Sequence, residues 1–70
     1  MSESIYKIIE LVGTSPKSWE DAVKKVVDEA AKTLRDLRIA EVIQLDVKIE
    51  DGKITAYRAR VNVSFKYEGK

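Results

Sequence analysis

Cysteine and histidine are both missing from this chain of 70 residues. Without cysteine there are no disulfide bridges and no zinc–thiolate sites. Without histidine the chain lacks the commonest metal ligand and the commonest general base near neutral pH. A core of this size seldom supplies more than about 3–5 kcal/mol, so small chains usually need disulfides, a metal or partners. We therefore expect residues 1–70 to form one small domain that is stabilised by self-association.

An excess of charge of one sign is also missing. The 13 basic and 12 acidic side chains leave a formal net charge of +1, so the chain has no bulk attraction to nucleic acid or to an anionic membrane. No apolar run is long enough to span a membrane, and the first residues, MSESIYK, lack the apolar segment of a signal peptide. These absences predict a cytoplasmic protein with neither nucleic acid nor a membrane as its partner.

Sequence motifs of enzymes are absent as well. No nucleophile elbow, phosphate loop or dinucleotide fingerprint occurs, and only carboxylates, Tyr, Lys, Ser and Thr remain as candidates for proton transfer or nucleophilic attack. The stretch GTSPKS precedes a predicted helix, where free backbone N–H groups could bind a phosphate. Such a stretch is more often a plain strand-to-helix turn. We therefore expect a protein that is not an enzyme.

What the sequence does contain is one amphipathic helix among strands. Residues 5–12 are rich in β-branched side chains and stop at a glycine, which predicts a first strand. Ser18 is a suitable N-cap, with Asp21 as its capping partner. The apolar positions that follow recur with helical spacing, which predicts a helix that ends near Leu37 or Arg38.

Two alternating segments, residues 43–49 and 54–67, complete the pattern. Alternation of apolar and polar side chains indicates strands with one buried face. The second segment would reach roughly 45 Å, whereas a compact chain of this length has a radius of gyration of roughly 11 Å. This strand is therefore too long for a compact monomer.

The connection between these two strands predicts their register. Both strands place apolar residues at odd positions, so opposed residues must add to an even sum. A three-residue loop from Glu50 to Gly52, with Gly52 in the left-handed region, satisfies this condition. The register then opposes Leu45 to Tyr57 and Ile43 to Ala59, and it also opposes Gln44 to Arg58.

The element order β-α-β-β predicts the topology of an α+β fold. A right-handed crossover makes the first two strands parallel. The third strand then fits between them, antiparallel to both, in a three-stranded sheet of order 1-3-2. One helix can cover only one face of this sheet. We therefore expect the long strand to project into neighbouring subunits.

The uncovered face is predicted to be polar. Arg58 and Arg60 lie in the middle of the last strand, near Gln44 and Asp46. In a monomer they would be exposed, whereas in an assembly they would form either a ligand site or a network of charge-assisted hydrogen bonds. Glu41 falls at an apolar position of its strand, so either the strand bends there or the carboxylate meets a nearby cation.

The aromatic side chains are predicted to lie on the other face. Tyr57, Phe65 and Tyr67 alternate with the arginines, which argues against an RNA-binding platform of the kind that combines aromatic and basic residues. Trp19 lies on the apolar stripe of the helix. Packing or a role at an interface is a better interpretation of this residue than stacking on a ligand.

Three segments, YKIIELVGTS, SWEDAVKKVVDEAAKTLRDLRIAEV and YRARVNVSFKYE, resemble the dodecin family in this order over nearly the whole chain. The resemblance implies a hollow homododecamer built from trimers. Flavin-binding members hold flavins such as FMN or riboflavin between symmetry-related subunits and store or shield them without catalysis. Such an assembly would also explain the overlong strand.

The resemblance also implies where a ligand would lie. The family's flavin-stacking Trp corresponds to Ile39, its pyrimidine-binding Gln corresponds to Arg58, and Gln44 matches a further pocket position. From their places on the uncovered face, we expect Asp46 and Arg60 to form a secondary polar part of this pocket. Ile39 offers no π-face, where stacking is typically worth about 1–3 kcal/mol, and Arg58 offers donors only. These substitutions predict weakened flavin binding.

A second branch of the family leads to another interpretation. The substitutions resemble those of relatives in which flavin binding is doubtful and calcium binding is associated with one member. Spacing alone identifies no metal ligands in this chain. Two hypotheses therefore remain, a module that binds a planar or anionic ligand of the flavin class, and a structural or calcium-binding shell in which Arg58 and Arg60 pair with carboxylates such as Asp46.

Overall fold

The computed structural model describes residues 5–67. The elements are β1 (Tyr6–Ser15), α1 (Trp19–Thr33), β2 (Leu37–Glu50) and β3 (Lys53–Lys66). β3 lies between β1 and β2 and is antiparallel to both. The predicted α+β fold with a three-stranded sheet of order 1-3-2 is therefore confirmed.

The ends of α1 follow from local chemistry. The Ser18 side chain accepts a hydrogen bond of 3.0 Å from the backbone N–H of Asp21, so the predicted N-cap is confirmed. The helix ends at Thr33 because Leu34 is extended, with φ −112° and ψ 148°. The prediction that the helix continues to Leu37 or Arg38 is wrong. Leu34 and Leu37 lie beyond the helix but still pack against the core. The apolar spacing in the sequence therefore continues past the point where the helix ends.

The β2–β3 hairpin differs from the predicted register. Glu50 pairs with Lys53, so the loop contains only Asp51 and Gly52, whose φ angles are 53° and 74°. Two successive positive φ angles are typical of a type I′ turn, which Asp-Gly favours. A register shift between Lys48 and Ile49 follows. From Lys48 to Gln44, opposed residue numbers then add to an even sum, as a three-residue loop was expected to ensure.

The predicted cross-strand neighbours are therefore wrong by two residues. Leu45 opposes Ala59 rather than Tyr57, and Asp46 rather than Gln44 opposes Arg58. The parity argument limits the sum of opposed residue numbers to even values, and a bulge on one strand satisfies it as well as a longer loop does.

β2 also begins earlier than expected and contains a bulge of its own. It starts at Leu37, and its register against β3 shifts between Val42 and Gln44. Because a bulge exchanges the two faces of a strand, Glu41 lies opposite Asn62 on the uncovered face. The bend that the sequence offered as one explanation of Glu41 is confirmed.

The core of the chain is small. Among the described residues it consists of three helical and three β3 side chains, Ala22, Val26, Ala30, Ala59, Val61 and Val63. Gly13 of β1 allows α1 to approach closely, since a Cβ atom there would collide with the helix. α1 packs mainly on β1 and β3 and leaves β2 almost uncovered. Half of the core side chains are alanine, so one copy buries little apolar surface.

The hairpin extends beyond this core. The last pair between β1 and β3 is Ser15 with Tyr57, and beyond it β2 and β3 continue as a two-stranded ribbon. We call its terminal residues, 48–55, the ribbon end. The described chain measures 56 × 20 × 16 Å and has a radius of gyration of 14.6 Å, well above the value of about 11 Å for a compact chain. The expectation that the strand is too long for a compact monomer is confirmed.

Candidate binding surface on the open face of the sheet

Among residues 5–67, no element covers the face of the sheet opposite α1. Ala59, Val61 and Val63 of β3 are buried under α1, so the alternate positions of β3 point to the other side. We call that side the open face. From the ribbon towards the start of β2, its cross-strand pairs are Arg58–Asp46, Arg60–Gln44, Asn62–Glu41 and Ser64–Ile39.

Arg58 and Asp46 form a two-pronged ion pair at one end of the open face. Arg58 Nε and Nη2 donate to the two carboxylate oxygens of Asp46 at 2.7 and 2.9 Å. These hydrogen bonds hold the pKa of Asp46 below its ordinary value and raise the pKa of Arg58. Parallel hydrogen bonds of this kind fix the orientation of a guanidinium group. Two of its donors are thereby engaged within the chain.

Arg60 is paired across the other neighbouring strand. Its Nη1 donates to Glu10 Oε2 at 2.9 Å. Sequence reasoning missed Glu10. Its position in β1, which alternates with the buried face, could have indicated that Glu10 lies on the uncovered face. Recognising Arg60 as its partner requires the register of β1 against β3. Both arginines therefore pair with carboxylates within one chain, Arg58 with Asp46 and Arg60 with Glu10, which is the arrangement named in the second of the two hypotheses.

The opposite end of the open face is apolar. Ile39 is 66% exposed, and Ile8 is exposed on the other side of the same row. Ser64 lies between them, and its hydroxyl donates to the Ile39 carbonyl at 3.3 Å. The small side chain of Ser64 is therefore flanked by two exposed aliphatic side chains.

The three predicted pocket residues share this face but do not meet within one chain. Gln44 is close to the Arg58–Asp46 pair, in the next row. Ile39 lies in the row of Ser64, six β3 residues from Arg58, which corresponds to about 20 Å along the strand. A single pocket formed by Ile39, Gln44 and Arg58 would therefore need residues from more than one subunit.

Trp19 reaches the same region from the helix side. Its indole Nε1 donates to the Asp46 carbonyl at 3.0 Å, and its ring meets Tyr57 edge to face, with 5.2 Å between centroids. Trp19 therefore packs within the chain, which is one of the two roles predicted for it. The prediction that Tyr57 lies on the face opposite the arginines is confirmed. Asp46 is consequently fixed by its side chain on one face and by its backbone on the other.

The turn before α1 satisfies its own polar groups. The buried Ser15 donates to Asp21 at 2.6 Å and accepts from the Lys17 N–H at 3.0 Å. The hydrogen bond from Ser15 lowers the pKa of Asp21. Two of the N–H groups near the helix start therefore have partners in the chain, which favours the plain turn over a phosphate site.

Within residues 5–67, no three acidic side chains come close enough together to hold a metal ion. In the same part of the chain, no helix is both long and apolar enough to span a membrane. The described residues of one copy therefore do not provide a ready-made calcium cage.

Comparison with known proteins gives consistent relationships. The family model described as Dodecin matches residues 5–68. A protein named calcium dodecin, from Mycobacterium tuberculosis, is 47% identical over 64 residues, which are 90% of this chain and 89% of the relative. A dodecin from Thermus thermophilus is 36% identical over 64 residues, covering 91% of this chain and 93% of the relative.

Solved structures resemble the fold over nearly its whole length. A dodecin from Streptomyces coelicolor superposes with a TM-score of 0.92 and 37% identity, over 100% of both chains. The calcium dodecin from Mycobacterium tuberculosis superposes with a TM-score of 0.82 and 43% identity, over 96% of both chains. The latter is described as a calcium-chelating antigen with a novel calcium-binding site.

Proposed function

Because this chain belongs to the dodecin family, we propose that it forms a hollow homododecamer, built from trimers, that holds a small ligand of the flavin class without transforming it. FMN and riboflavin are the ligands that the family resemblance suggests. The proposed pocket combines Ile39 with Gln44 and Arg58, and Asp46 and Arg60 form its polar margin.

The observation that supports this proposal best is the open face itself. It presents an exposed Ile39 at one end and the Arg58–Asp46 pair at the other, about 20 Å apart along the strand. One copy therefore offers an apolar contact and a polar contact in separate places. The proposed pocket therefore requires an assembly that brings the apolar end of one copy beside the polar end of another.

The residues do not fit a tightly bound flavin. Ile39 has no π-face, and stacking on an aromatic side chain is typically worth about 1–3 kcal/mol. Arg58 can only donate hydrogen bonds, and two of its donors already bind Asp46. We therefore propose that flavin binds weakly and that Ile39 and Arg58 limit its affinity.

Titration of flavin fluorescence tests the site. In the double variant Ile39→Trp, Arg58→Gln, affinity for FMN is expected to rise at least about tenfold, because about 1.4 kcal/mol corresponds to a factor of ten and stacking can supply it. A matched control is Glu29→Trp, Arg58→Gln, which adds an indole at an exposed position of the helix, away from the open face. Equal affinities for wild type and both double variants would contradict the assignment of Ile39 and Arg58.

A calcium-binding shell is the second candidate. The relative named calcium dodecin is 47% identical to this chain, and the bulge in β2 adds the exposed carboxylate of Glu41 to the open face. Calcium takes six to eight oxygen ligands, more than the described residues of one copy bring together. A calcium site would therefore use carboxylates from several subunits, with Glu41 among them.

Calorimetric titration with calcium tests this candidate. The variant Glu41→Gln is expected to lose at least about tenfold in calcium affinity, since it removes one charged ligand. The control is Glu29→Gln, an exposed helical carboxylate that pairs with Lys32. Calcium binding that is equally strong in both variants would exclude Glu41 as a ligand.

A further inference from the structure

The two arginines of the open face are balanced by carboxylates of the same chain. Arg58 donates from Nε and Nη2 to both carboxylate oxygens of Asp46, and Arg60 donates from Nη1 to Glu10. The arginines lie in neighbouring rows of β3, so the two ion pairs lie side by side. A ligand that reaches these rows therefore meets two positive charges that are already neutralised.

The other charges of the open face supply no further cation beside these pairs. Glu41 is exposed on the same face and adds a negative charge. Lys48, one row beyond the Arg58–Asp46 pair, lies 3.4 Å from a carboxylate oxygen of Glu50. Lys66 is at the far end of the face, about 20 Å along β3 from the row of Arg60. In the described chain, the rows around the ion pairs therefore carry no excess of positive charge.

Neutral polar side chains lie in the same rows. Gln44 is the partner of Arg60, and Asn62 occupies the next row. Neither amide takes part in the ion pairs. An amide offers both a donor and an acceptor, which complements a ring edge that consists of carbonyl and N–H groups. These rows are therefore better suited to an uncharged polar group than to an anion.

We infer that Asp46 and Glu10 determine the specificity of the proposed pocket: by pairing with Arg58 and Arg60, they select an uncharged flavin over a flavin that carries phosphate. This inference rests on the proposed function and adds the class of flavin that the pocket takes. Riboflavin and FMN share one ring system, and a phosphate monoester adds a charge of about −1.5 to −2 near neutral pH. Beside balanced arginines and Glu41, that charge brings no net attraction.

Removal of one carboxylate is expected to change this preference. In Asp46→Asn the charge of Arg58 is no longer balanced, and its Nε and Nη2 are released from two charge-assisted hydrogen bonds. A guanidinium group binds phosphate oxygens in the same two-pronged manner as it binds a carboxylate. We expect the affinity for FMN, relative to that for riboflavin, to rise at least about tenfold in this variant.

Fluorescence titrations with riboflavin and with FMN test the inference, and the ratio of the two dissociation constants is the quantity measured. Wild type is expected to bind riboflavin at least as tightly as FMN. The ratio is expected to shift towards FMN in Asp46→Asn and, independently, in Glu10→Gln. Because exposed charges are screened by salt, the gain for FMN is expected to shrink at about 1 M sodium chloride.

The matched control is Asp28→Asn. It removes a carboxylate of the same kind from an ion pair with Lys24 on the exposed side of α1, so it changes the net charge by the same amount. The ratio is expected to stay at its wild-type value. A loss of folding would weaken the binding of both flavins together, so a change in the ratio separates specificity from stability.

The possible results distinguish this inference from the proposed function. Tighter binding of FMN than of riboflavin by wild type would overturn the inference and leave the proposed function standing. A ratio that Asp46→Asn and Glu10→Gln shift no more than Asp28→Asn does would overturn it as well. If neither flavin binds to wild type or to Asp46→Asn at millimolar protein, the proposed function is wrong, and the inference fails with it.

Discussion

At the scale of single residues, Asp46 connects the two faces of the sheet. Its carboxylate accepts two hydrogen bonds from Arg58 on the open face, and its carbonyl accepts one from Trp19 on the helix side. A change in the position of Asp46 would therefore affect both the proposed ligand pocket on the open face and the packing of Trp19 against Tyr57 on the helix side.

The pKa of Asp46 leads to a prediction about stability in acid. Because Arg58 holds this pKa below its ordinary value of 3.8, the pair contributes stability above that value and loses it as the pH falls through the lower, folded-state pKa. We expect the wild-type urea midpoint to fall between about pH 5 and about pH 3, and to fall less steeply in Asp46→Asn.

The variant Arg58→Gln supplies the control for this experiment. It keeps the Asp46 carboxylate but removes the hydrogen bonds that lower its pKa, so the same shallower dependence on pH is expected. If either variant retained the full acid sensitivity of wild type, the ion pair would not be its source.

At the scale of secondary structure, the order of elements could be predicted and the register could not. The alternation in the strands and the helical apolar spacing correctly gave β-α-β-β and the sheet order. The predicted end of α1 was wrong because Leu34 and Leu37 continue the helical spacing of apolar residues although they lie outside the helix. The hairpin register was wrong because a bulge near Ile49 leaves no mark in the alternation.

The hairpin turn gives a prediction at this scale. Gly52 has a φ of 74°, a region that costs an L-residue roughly 1–2 kcal/mol. Gly52→Ala is therefore expected to lower the free energy of unfolding by about that amount, measured by urea denaturation. There is open space around the new methyl group, so the cost would come from the backbone alone.

A substitution at the neighbouring turn position provides the comparison. Asp51 also has a positive φ, of 53°, and Asn tolerates this region well. Asp51→Asn is therefore expected to leave the urea midpoint nearly unchanged. A loss in Asp51→Asn as large as that in Gly52→Ala would argue against the backbone explanation.

At the scale of the whole molecule, the candidate pocket was only partly predictable. Parity correctly placed Gln44, Arg58 and Arg60 on the uncovered face. It could not show that Ile39 lies about 20 Å from Arg58 along the strand. One bulge of β2 lies between Ile39 and the partner of Arg58, and a second lies next to Ile39. Nor could a single sequence supply the Glu10–Arg60 pair, since that contact joins residues 50 positions apart.

Self-association predicts a thermal midpoint that depends on protein concentration. Partners that bind the folded chain stabilise it by mass action, and the small core leaves one copy with little stability of its own. We expect the midpoint measured by circular dichroism to rise by several degrees over a hundredfold increase in concentration. A midpoint independent of concentration, together with a small particle, would indicate a self-sufficient monomer.

The bulges of β2 have one more consequence, which concerns uncontrolled polymerisation. In the part of the chain that the structure describes, the outer border of β2 has no neighbouring strand. A long, straight border of this kind can recruit further chains into fibrils. The irregularities at residues 37–39 and 42–44 bend that border and interrupt its regular donors and acceptors. We therefore expect the bulge that moves Glu41 to the open face, together with the irregularity at the start of β2, to slow amyloid growth in a crowded solution of this protein.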